Sequence, residues 1–300
     1  MQSFAHRLLG KIRKRSTAPE PKRTSVRTTE EGFMPLAPEL KARIPRQAHL
    51  IISYPRSGSR WLLCPLLPAL VTPSERSQQY FDITLQSQIS EAQQIPDIPA
   101  TGSHAFYRAN ALPDILPADC TPVIRTHHDR AFYQPAGPRI VYPVRRFPAV
   151  LASYWIFQKG AKAPLTGKAF RQFAAQCERE WRAHVEAALH YQAKQPDRIL
   201  IVIYGETRPF SAEQLKTIAA WVNIDCSDRR IATVLERFDH MLHGLNRVTA
   251  GPLRRGTNQN ARTCLPRDLY EAYAEANEAL FLQAAATSTS QSGPVVVSVA

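Results

Sequence analysis

Four short runs of apolar and often β-branched residues punctuate the chain. They lie near Leu50 and at 122–126, 139–144 and 199–204. Runs of this length, bounded by polar or turn-forming residues, are typical of buried strands. Helical spacing separates or follows them, at 61–70, 149–157, 168–193 and 212–222, the last after Ser211 with Glu213 and Gln214 in its first turn. Strands that alternate with helices predict an α/β fold with a central parallel sheet covered on both faces.

The first predicted strand leads directly into an unusual loop, in the segment HLIISYPRSGSRWLL at 49–63. The apolar run ends at Tyr54-Pro55, a polar loop follows, and Trp61 opens a helical pattern. A strand, a glycine-containing loop and a helix N-terminus form a phosphate cradle, because loop N–H groups and the helix dipole converge there. The loop is not that of the nucleoside triphosphate enzymes, since GxxxxGK[ST] is absent. Its hydroxyls and guanidiniums suit phosphate oxygens, and they belong to Arg56, Ser57, Ser59 and Arg60, around Gly58.

Two segments resemble motifs of the sulfotransferases that use 3'-phosphoadenosine 5'-phosphosulfate (PAPS). YPRSGSRWL is similar to that family's 5'-phosphosulfate-binding loop, YP[KR]SG[TSN]TW. VIRTHH at 123–128 resembles the [KR]TH segment, whose histidine is the catalytic base, and His127 is the matching residue. His128 is the nearest rival. Adjacent strand residues face opposite sides, so only one of the two should enter the cleft.

A third segment resembles the family's 3'-phosphate-binding motif, YLVRxPRDVxVSYY. It reads RIVYPVRRFPAVLASYWIF at 139–157, with Arg145 and Ser153 at the family spacing of eight. Arg146 is an alternative for the motif arginine, but its spacing to Ser153 is one short. The acid frequent near the helix start is replaced by Ala149.

Weaker matches follow in the family's order. Tyr204, at the end of an apolar run, falls where the family places an adenine contact, and RFDHML at 237–242 resembles a segment near the adenine site. Leu253-Arg254-Arg255-Gly256 resembles the RKG segment that closes over the 3'-phosphate. The family's following GDW is replaced by residues 259–261, QNA, which departs from the pattern.

The resemblance covers about residues 48–282 and implies a P-loop nucleotide-kinase-like α/β domain. It implies in-line transfer of a sulfuryl group from PAPS to an acceptor hydroxyl of a small alcohol, phenol, glycan or lipid. His127 would act as base, with Arg56 and Arg125 neutralising developing charge. The implied donor contacts are Arg56, Ser57, Gly58, Ser59, Arg60, Trp61, Arg145, Ser153, Tyr204, Arg254, Arg255 and Gly256. The alternatives are a nucleotide or small-molecule kinase of related fold and a non-catalytic basic module that binds membranes or nucleic acid.

Composition narrows the setting in which such an enzyme would work. The five cysteines are scattered without a CxxC pair, which predicts a reducing compartment, no disulfide framework and no metal site. No apolar run reaches the ~18 residues that span a bilayer. We therefore expect a cytoplasmic protein. The number of subunits cannot be read from the sequence.

Positive charge is concentrated at the N-terminus of this chain of net charge +13. Residues 1–28 hold eight basic residues and one acid, so the remaining excess suits a polyanionic cofactor and does not require nucleic acid. We expect a basic arm at 1–44, a sulfotransferase domain at 45–283 and a disordered tail at 284–300. The arm is either disordered or a peripheral membrane contact, in which Phe4, Leu8, Leu9 and Ile12 line one side of a short amphipathic helix. Being rich in arginine and poor in acids, it also weakly resembles an organelle transit peptide.

Overall fold

A single parallel sheet forms the centre of the protein. The computed structural model describes residues 48–62, 66–70, 78–82, 121–127, 138–160, 163–205, 209–248 and 259–291. Contacts divide the chain into two units, Met1–Met34 and Pro35–Ala300, and every described residue belongs to the second. The described strands are β1 (His49–Ile52), β2 (Gln78–Asp82), β3 (Thr121–Thr126), β4 (Arg139–Val144) and β5 (Ile199–Ile203). They lie in the order β2-β3-β1-β4-β5, with every pair parallel, which confirms the predicted α/β architecture.

Helices follow or separate these strands. They are α1 (Ser59–Trp61), α2 (Leu67–Leu70), α3 (Phe147–Lys159), α4 (Gly167–Lys194), α5 (Ala212–Trp221), α6 (Asp228–Val248), α7 (Gln259–Cys264) and α8 (Arg267–Gln291). The start of α5 is a capping box, in which the Ser211 hydroxyl accepts from the Gln214 N–H and the Gln214 side chain accepts from the Ser211 N–H. None of the helices in the described ranges is both long and apolar enough to cross a bilayer.

The strands are buried because alternate side chains enter different parts of the core. Ile51, Val141 and Leu200 belong to one apolar cluster with residues of α5 and α6, among them Leu215 and Phe238. In strands, neighbouring residues point to opposite faces. Accordingly Tyr142, next to Val141, stacks on the His184 ring of α4. Helices thus cover both faces and leave the strand ends as the place where polar side chains gather.

Two parts of the chain differ from the sequence-based expectation. Strand β2 lies outside the four runs from which strands were predicted. The disordered tail expected from residue 284 is corrected as far as Gln291, because α8 continues to that residue. Ala284 and Ser288 are buried there, and the Gln291 side-chain amide pairs with β5, accepting from the Ile201 N–H at 3.0 Å and donating to the Ile199 carbonyl at 2.7 Å. The expected arm at 1–44 and residues 292–300 lie outside the described residues.

Candidate functional site

The candidate site lies where four strands end at the same edge of the sheet. Ser53 follows β1, His127 follows β3, Arg145 follows β4 and Tyr204 follows β5. In parallel α/β sheets ligands bind beyond the carboxyl ends of the strands, beside the point where the chain changes direction across the sheet. Here that point is β1, because β2 and β3 lie on one side of it and β4 and β5 on the other. The fold therefore brings these motif residues to one edge of the sheet.

The loop after β1 is shaped by two residues with left-handed backbone conformations. Arg56 has φ 70° and Gly58 has φ 101°. The Ser57 N–H donates to the Tyr54 carbonyl at 3.2 Å, and the Trp61 N–H donates to the Gly58 carbonyl at 2.9 Å. A Cβ at Gly58 would lie 2.2 Å from Cδ2 of Tyr204. Glycine is required here both by the backbone conformation and by the close approach of the tyrosine ring.

Two serines of the loop differ in how their hydroxyls are satisfied. The Ser59 Oγ accepts hydrogen bonds from the Ser53 hydroxyl and from the Arg125 Nε, each at 2.8 Å. Ser57 is only 1% exposed, and its Oγ has no hydrogen-bond partner among the described residues. Buried hydroxyls without a partner are costly and uncommon. The orphaned Ser57 hydroxyl, inside a loop that precedes a helix N-terminus, fits a phosphate oxygen as its missing partner.

His127 is held between an obligate donor and an obligate acceptor. The Arg125 Nη2 donates to the His127 Nε2 at 2.8 Å, and the His127 Nδ1 lies 2.5 Å from the Ser53 carbonyl oxygen. A guanidinium only donates and a carbonyl only accepts. The imidazole is therefore neutral, with its proton on Nδ1 and a lone pair on Nε2. His128 is outside the described residues, so the choice of His127 over His128 as the catalytic base stays a prediction.

Arg56, Arg145 and Ser153 form a second polar cluster beside the loop. The Arg56 Nε donates to the Ser153 Oγ at 3.0 Å, and the Arg145 Nη1 donates to the Arg56 carbonyl at 3.1 Å. The Arg145 guanidinium lies 4.7 Å from the centre of the Tyr204 ring. Arg146 instead pairs with Glu278 of α8. Of the two candidate motif arginines, Arg145 is the one that lies at the loop.

Aromatic side chains lie beside these cations. Burial raises the pKa of Tyr204, while the Arg145 charge and a hydrogen bond from Trp61 act in the opposite direction. The Trp61 ring meets Phe238 edge to face, with 5.3 Å between ring centres. Trp61 and Tyr204 thus lie together between the loop and α6, and their predicted contact with the donor stays a prediction.

The remaining predicted residues are not placed. The side chain of Arg60 and all of Arg254, Arg255 and Gly256 lie outside the described residues. No group of three His, Cys, Asp or Glu side chains able to hold a metal occurs within the described ranges. The predicted absence of a metal stays a prediction.

Ser53 and His184 were not anticipated at the site from the sequence. The His184 Nε2 lies 3.2 Å from the His127 carbonyl oxygen. A signal was present, since His184 has the helical spacing of Trp181, Val185 and Ala188, all of them buried residues of α4. A histidine on an apolar helix face points into the core, but its partner there depends on the fold.

Comparison with known proteins assigns this chain to a family. The family model described as the sulfotransferase domain matches residues 46–243, more than half of the 300-residue chain. Among solved structures, the chain is similar to the mouse sulfotransferase SULT7A1 complexed with PAP, with a TM-score of 0.50 and 18% sequence identity over 88% of this chain and 92% of that one. At that identity the likeness concerns the fold. No significant match was found among curated protein sequences. The chain thus belongs to the sulfotransferase domain family.

Proposed function

We propose that this enzyme transfers the sulfuryl group of PAPS to an acceptor hydroxyl, with His127 as the general base. The observation that carries the proposal is the pairing of His127 with Arg125 and Ser53 at the mouth of the loop. This pairing leaves a lone pair on Nε2, the nitrogen that faces Arg125. A neutral imidazole beside a phosphate-binding loop can take the proton of a hydroxyl as the transfer begins.

The donor would lie along the two polar clusters. Ser57, Gly58, Ser59 and Arg60 would hold its 5'-phosphosulfate end, and the unsatisfied Ser57 hydroxyl supports that placement. Arg145 and Ser153 would hold the 3'-phosphate, with Trp61 and Tyr204 beside the base. Arg254, Arg255 and Gly256 are proposed, on the family resemblance, to close over the same phosphate. Bound in this way, the donor supplies the sulfuryl group and a phosphate leaving group.

The protein's own groups account for the proton and the charge. An acceptor hydroxyl would displace Arg125 from the His127 Nε2. The hydroxyl proton would then pass to this nitrogen as the acceptor oxygen attacks the sulfur of the donor. The Nδ1–H stays on the Ser53 carbonyl, which holds the imidazolium in place. Arg125 and Arg56 then lie where negative charge grows on the transferred group and on the leaving oxygen. Arginine does not give up a proton, but a leaving phosphate needs charge neutralisation more than protonation.

The donor assignment predicts a preference that calorimetry can measure. Adenosine 3',5'-bisphosphate should bind at least tenfold more tightly than 5'-AMP, about 1.4 kcal/mol or more, because Arg145 and Ser153 would contact the extra phosphate. Arg145→Ala should erase most of this preference. Arg146→Ala is the matched control, since Arg146 pairs with Glu278, and it should keep the preference. Equal affinities of the wild type for the two nucleotides, or tighter binding of ATP, would favour the kinase alternative.

The base assignment has a separate test. His127→Ala should lower turnover by roughly 10²-fold or more and change bisphosphate affinity little, because the base touches the acceptor and not the phosphates. His128→Ala should have a much smaller effect. A screen of phenols, alcohols, glycans and lipids with labelled PAPS would identify the acceptor class.

A further inference from the structure

His184 is a buried histidine of α4 for which the proposed reaction has no direct use. It is 1% exposed and lies on the apolar face of the helix. Histidine is seldom buried without a full set of partners, because both ring nitrogens must be satisfied. Its partners therefore show what the side chain does.

Both nitrogens of His184 are engaged, and one of them reaches the proposed base. The His184 Nε2 donates to the backbone carbonyl of His127 at 3.2 Å. The His184 Nδ1 is hydrogen-bonded to the Tyr142 hydroxyl, which also lies 3.0 Å from the His184 carbonyl oxygen. The His127 carbonyl only accepts, so it requires a proton on the His184 Nε2, and the Tyr142 hydroxyl holds the other ring nitrogen in place.

Two aromatic rings fix the orientation of the His184 imidazole. The Tyr142 ring stacks on it, with 5.4 Å between centres and 23° between planes. The Tyr54 ring meets it edge to face at 5.9 Å and 82°. Tyr54 is in turn anchored to α4, since its hydroxyl lies 3.3 Å from the Cys177 sulfur and 3.1 Å from Glu180 Oε2. The imidazole thus has little freedom to rotate away from the His127 carbonyl.

The hydrogen bond from His184 to the His127 carbonyl matters because of where His127 lies in the chain. It is the first residue after β3, beyond the last strand pair between Ile52 and Thr126. The sheet ladder therefore no longer holds its backbone. The Ser53 carbonyl holds the ring of His127, and His184 holds its backbone.

We propose that His184, oriented by Tyr142, is a positioning residue for the base His127. This inference rests on the proposed function of His127 and adds a second residue to it. His184 touches neither donor nor acceptor in this role. It acts by keeping the His127 peptide in place, so that Nε2 stays aimed at the acceptor hydroxyl. A misplacement of about 1 Å can cost roughly 10²-fold in rate.

The test compares four variants of the full chain. His184→Leu removes the donor. His184→Gln retains an amide N–H at a similar reach. Tyr142→Phe removes the hydroxyl that orients the ring. His190→Leu is the matched control, because His190 is an exposed histidine on the same helix. Turnover is followed as release of adenosine 3',5'-bisphosphate from PAPS with 2-naphthol as the hydroxyl probe, and bisphosphate affinity is measured by calorimetry.

A positioning role predicts a separation of turnover from binding. His184→Leu should lower kcat at least tenfold with bisphosphate affinity unchanged within twofold. His184→Gln should recover most of the loss, Tyr142→Phe should fall between the two, and His190→Leu should equal the wild type. Unchanged kcat in His184→Leu, or parallel losses of kcat and bisphosphate affinity, would overturn the proposal.

A double variant separates this inference from the function on which it rests. In a His127→Ala background, His184→Leu should cause no further loss, because its effect passes through His127. The same fold-loss in both backgrounds would refute the positioning role and leave the base assignment intact. Full activity of His127→Ala alone would instead remove the base assignment.

A spectroscopic readout needs no acceptor and covers a Leu variant that fails to fold. Long-range proton–nitrogen NMR spectra should show the Nδ1–H form of His127 in the wild type and in His184→Gln. In Tyr142→Phe, His127 should show a mixture of its two neutral forms, with the proton on Nδ1 in one and on Nε2 in the other. An unmixed Nδ1–H form in Tyr142→Phe, together with wild-type turnover, would count against the inference.

Discussion

At the scale of single residues, neighbouring serines of the loop have different physical roles. Ser59 is part of the folded network, because Ser53 and Arg125 both donate to its hydroxyl. Ser57 is buried with no partner among the described residues. The first hydroxyl belongs to the loop's own hydrogen-bond network, and the second is costly to bury unless a ligand satisfies it.

This contrast predicts opposite outcomes for two alanine substitutions. Ser57→Ala should keep or slightly raise the melting temperature of the unliganded protein, because an unsatisfied buried hydroxyl is removed. It should weaken bisphosphate and 5'-AMP binding alike, by about 1–2 kcal/mol, through the lost contact to the shared 5'-phosphate. Ser59→Ala should lower the melting temperature, since it leaves the Arg125 Nε without its acceptor. Thermal denaturation and calorimetry measure both, and equal destabilisation by the two changes would contradict the assignment.

His49 predicts a pH dependence that does not involve the site. Burial, and secondarily the Arg139 charge, lower the pKa of His49 from 6.5 to about 4. Below pH 6.5 the unfolded chain therefore binds a proton that the folded protein does not. Stability should fall as the pH drops from 6.5 towards 4, by at most about 1.4 kcal/mol per pH unit from this group.

Urea denaturation at several pH values isolates this effect. His49→Gln should flatten the fall in unfolding free energy between pH 6.5 and 4, whatever its stability at neutral pH. His190→Gln, at an exposed position of α4, should reproduce the wild-type slope. The same slope in His49→Gln and wild type would show that other groups cause the acid sensitivity.

At the scale of elements, the sequence predicted best those strands and helices whose local residue pattern matches their burial in the fold. Four buried strands follow from apolar runs, and α5 follows from Ser211 and the residues after it. The sequence does not mark β2 clearly, because it pairs only with β3 among the described strands and has just two apolar residues in QQYFD. The end of α8 is rich in Ser and Thr, which have low helix propensity. There, tertiary contact with β5 outweighs propensity.

The close approach of Gly58 in the loop to Tyr204 at the end of β5 predicts that one added methyl group will disrupt nucleotide binding. Gly58→Ala should abolish measurable bisphosphate binding, because the new methyl group would overlap the Tyr204 ring and strain the backbone. Gly160→Ala is the matched control, with φ 92° but no atom within 4 Å of the added carbon. It should cost about 1–2 kcal/mol of stability and leave binding intact. Calorimetry should then separate the two variants, and similar binding by both would mean that the Tyr204 contact is unimportant.

At the scale of the whole molecule, the site is an outcome of strand order. Motif resemblance identified His127, Arg145 and Ser153 one segment at a time. It did not predict that Arg56 reaches Ser153, because that contact joins residues 97 positions apart. Nor could it predict that His184 meets the His127 backbone, since this depends on how α4 lies across the sheet. Residue identities were accessible from the sequence, whereas the contacts between distant residues of the site required the fold.

The Gln291 amide at the edge of the sheet leads to a prediction about the whole molecule. Gln291→Leu should lower the melting temperature and increase light scattering on heating, because the Ile201 N–H and the Ile199 carbonyl lose their partner. Gln283→Leu is the control, since Gln283 is an exposed residue of the same helix. Similar scattering by both variants would show that the amide does not protect the edge.

The same amide makes the last turn of α8 a guard against self-association. Its two hydrogen bonds, to residues two positions apart, imitate those of an added strand, so a second molecule finds that part of β5 already taken. The family match ends at residue 243, yet a shortened chain cut there would leave β5 open to fibre-like pairing between molecules. Affinity tags and fusion partners belong beyond Gln291.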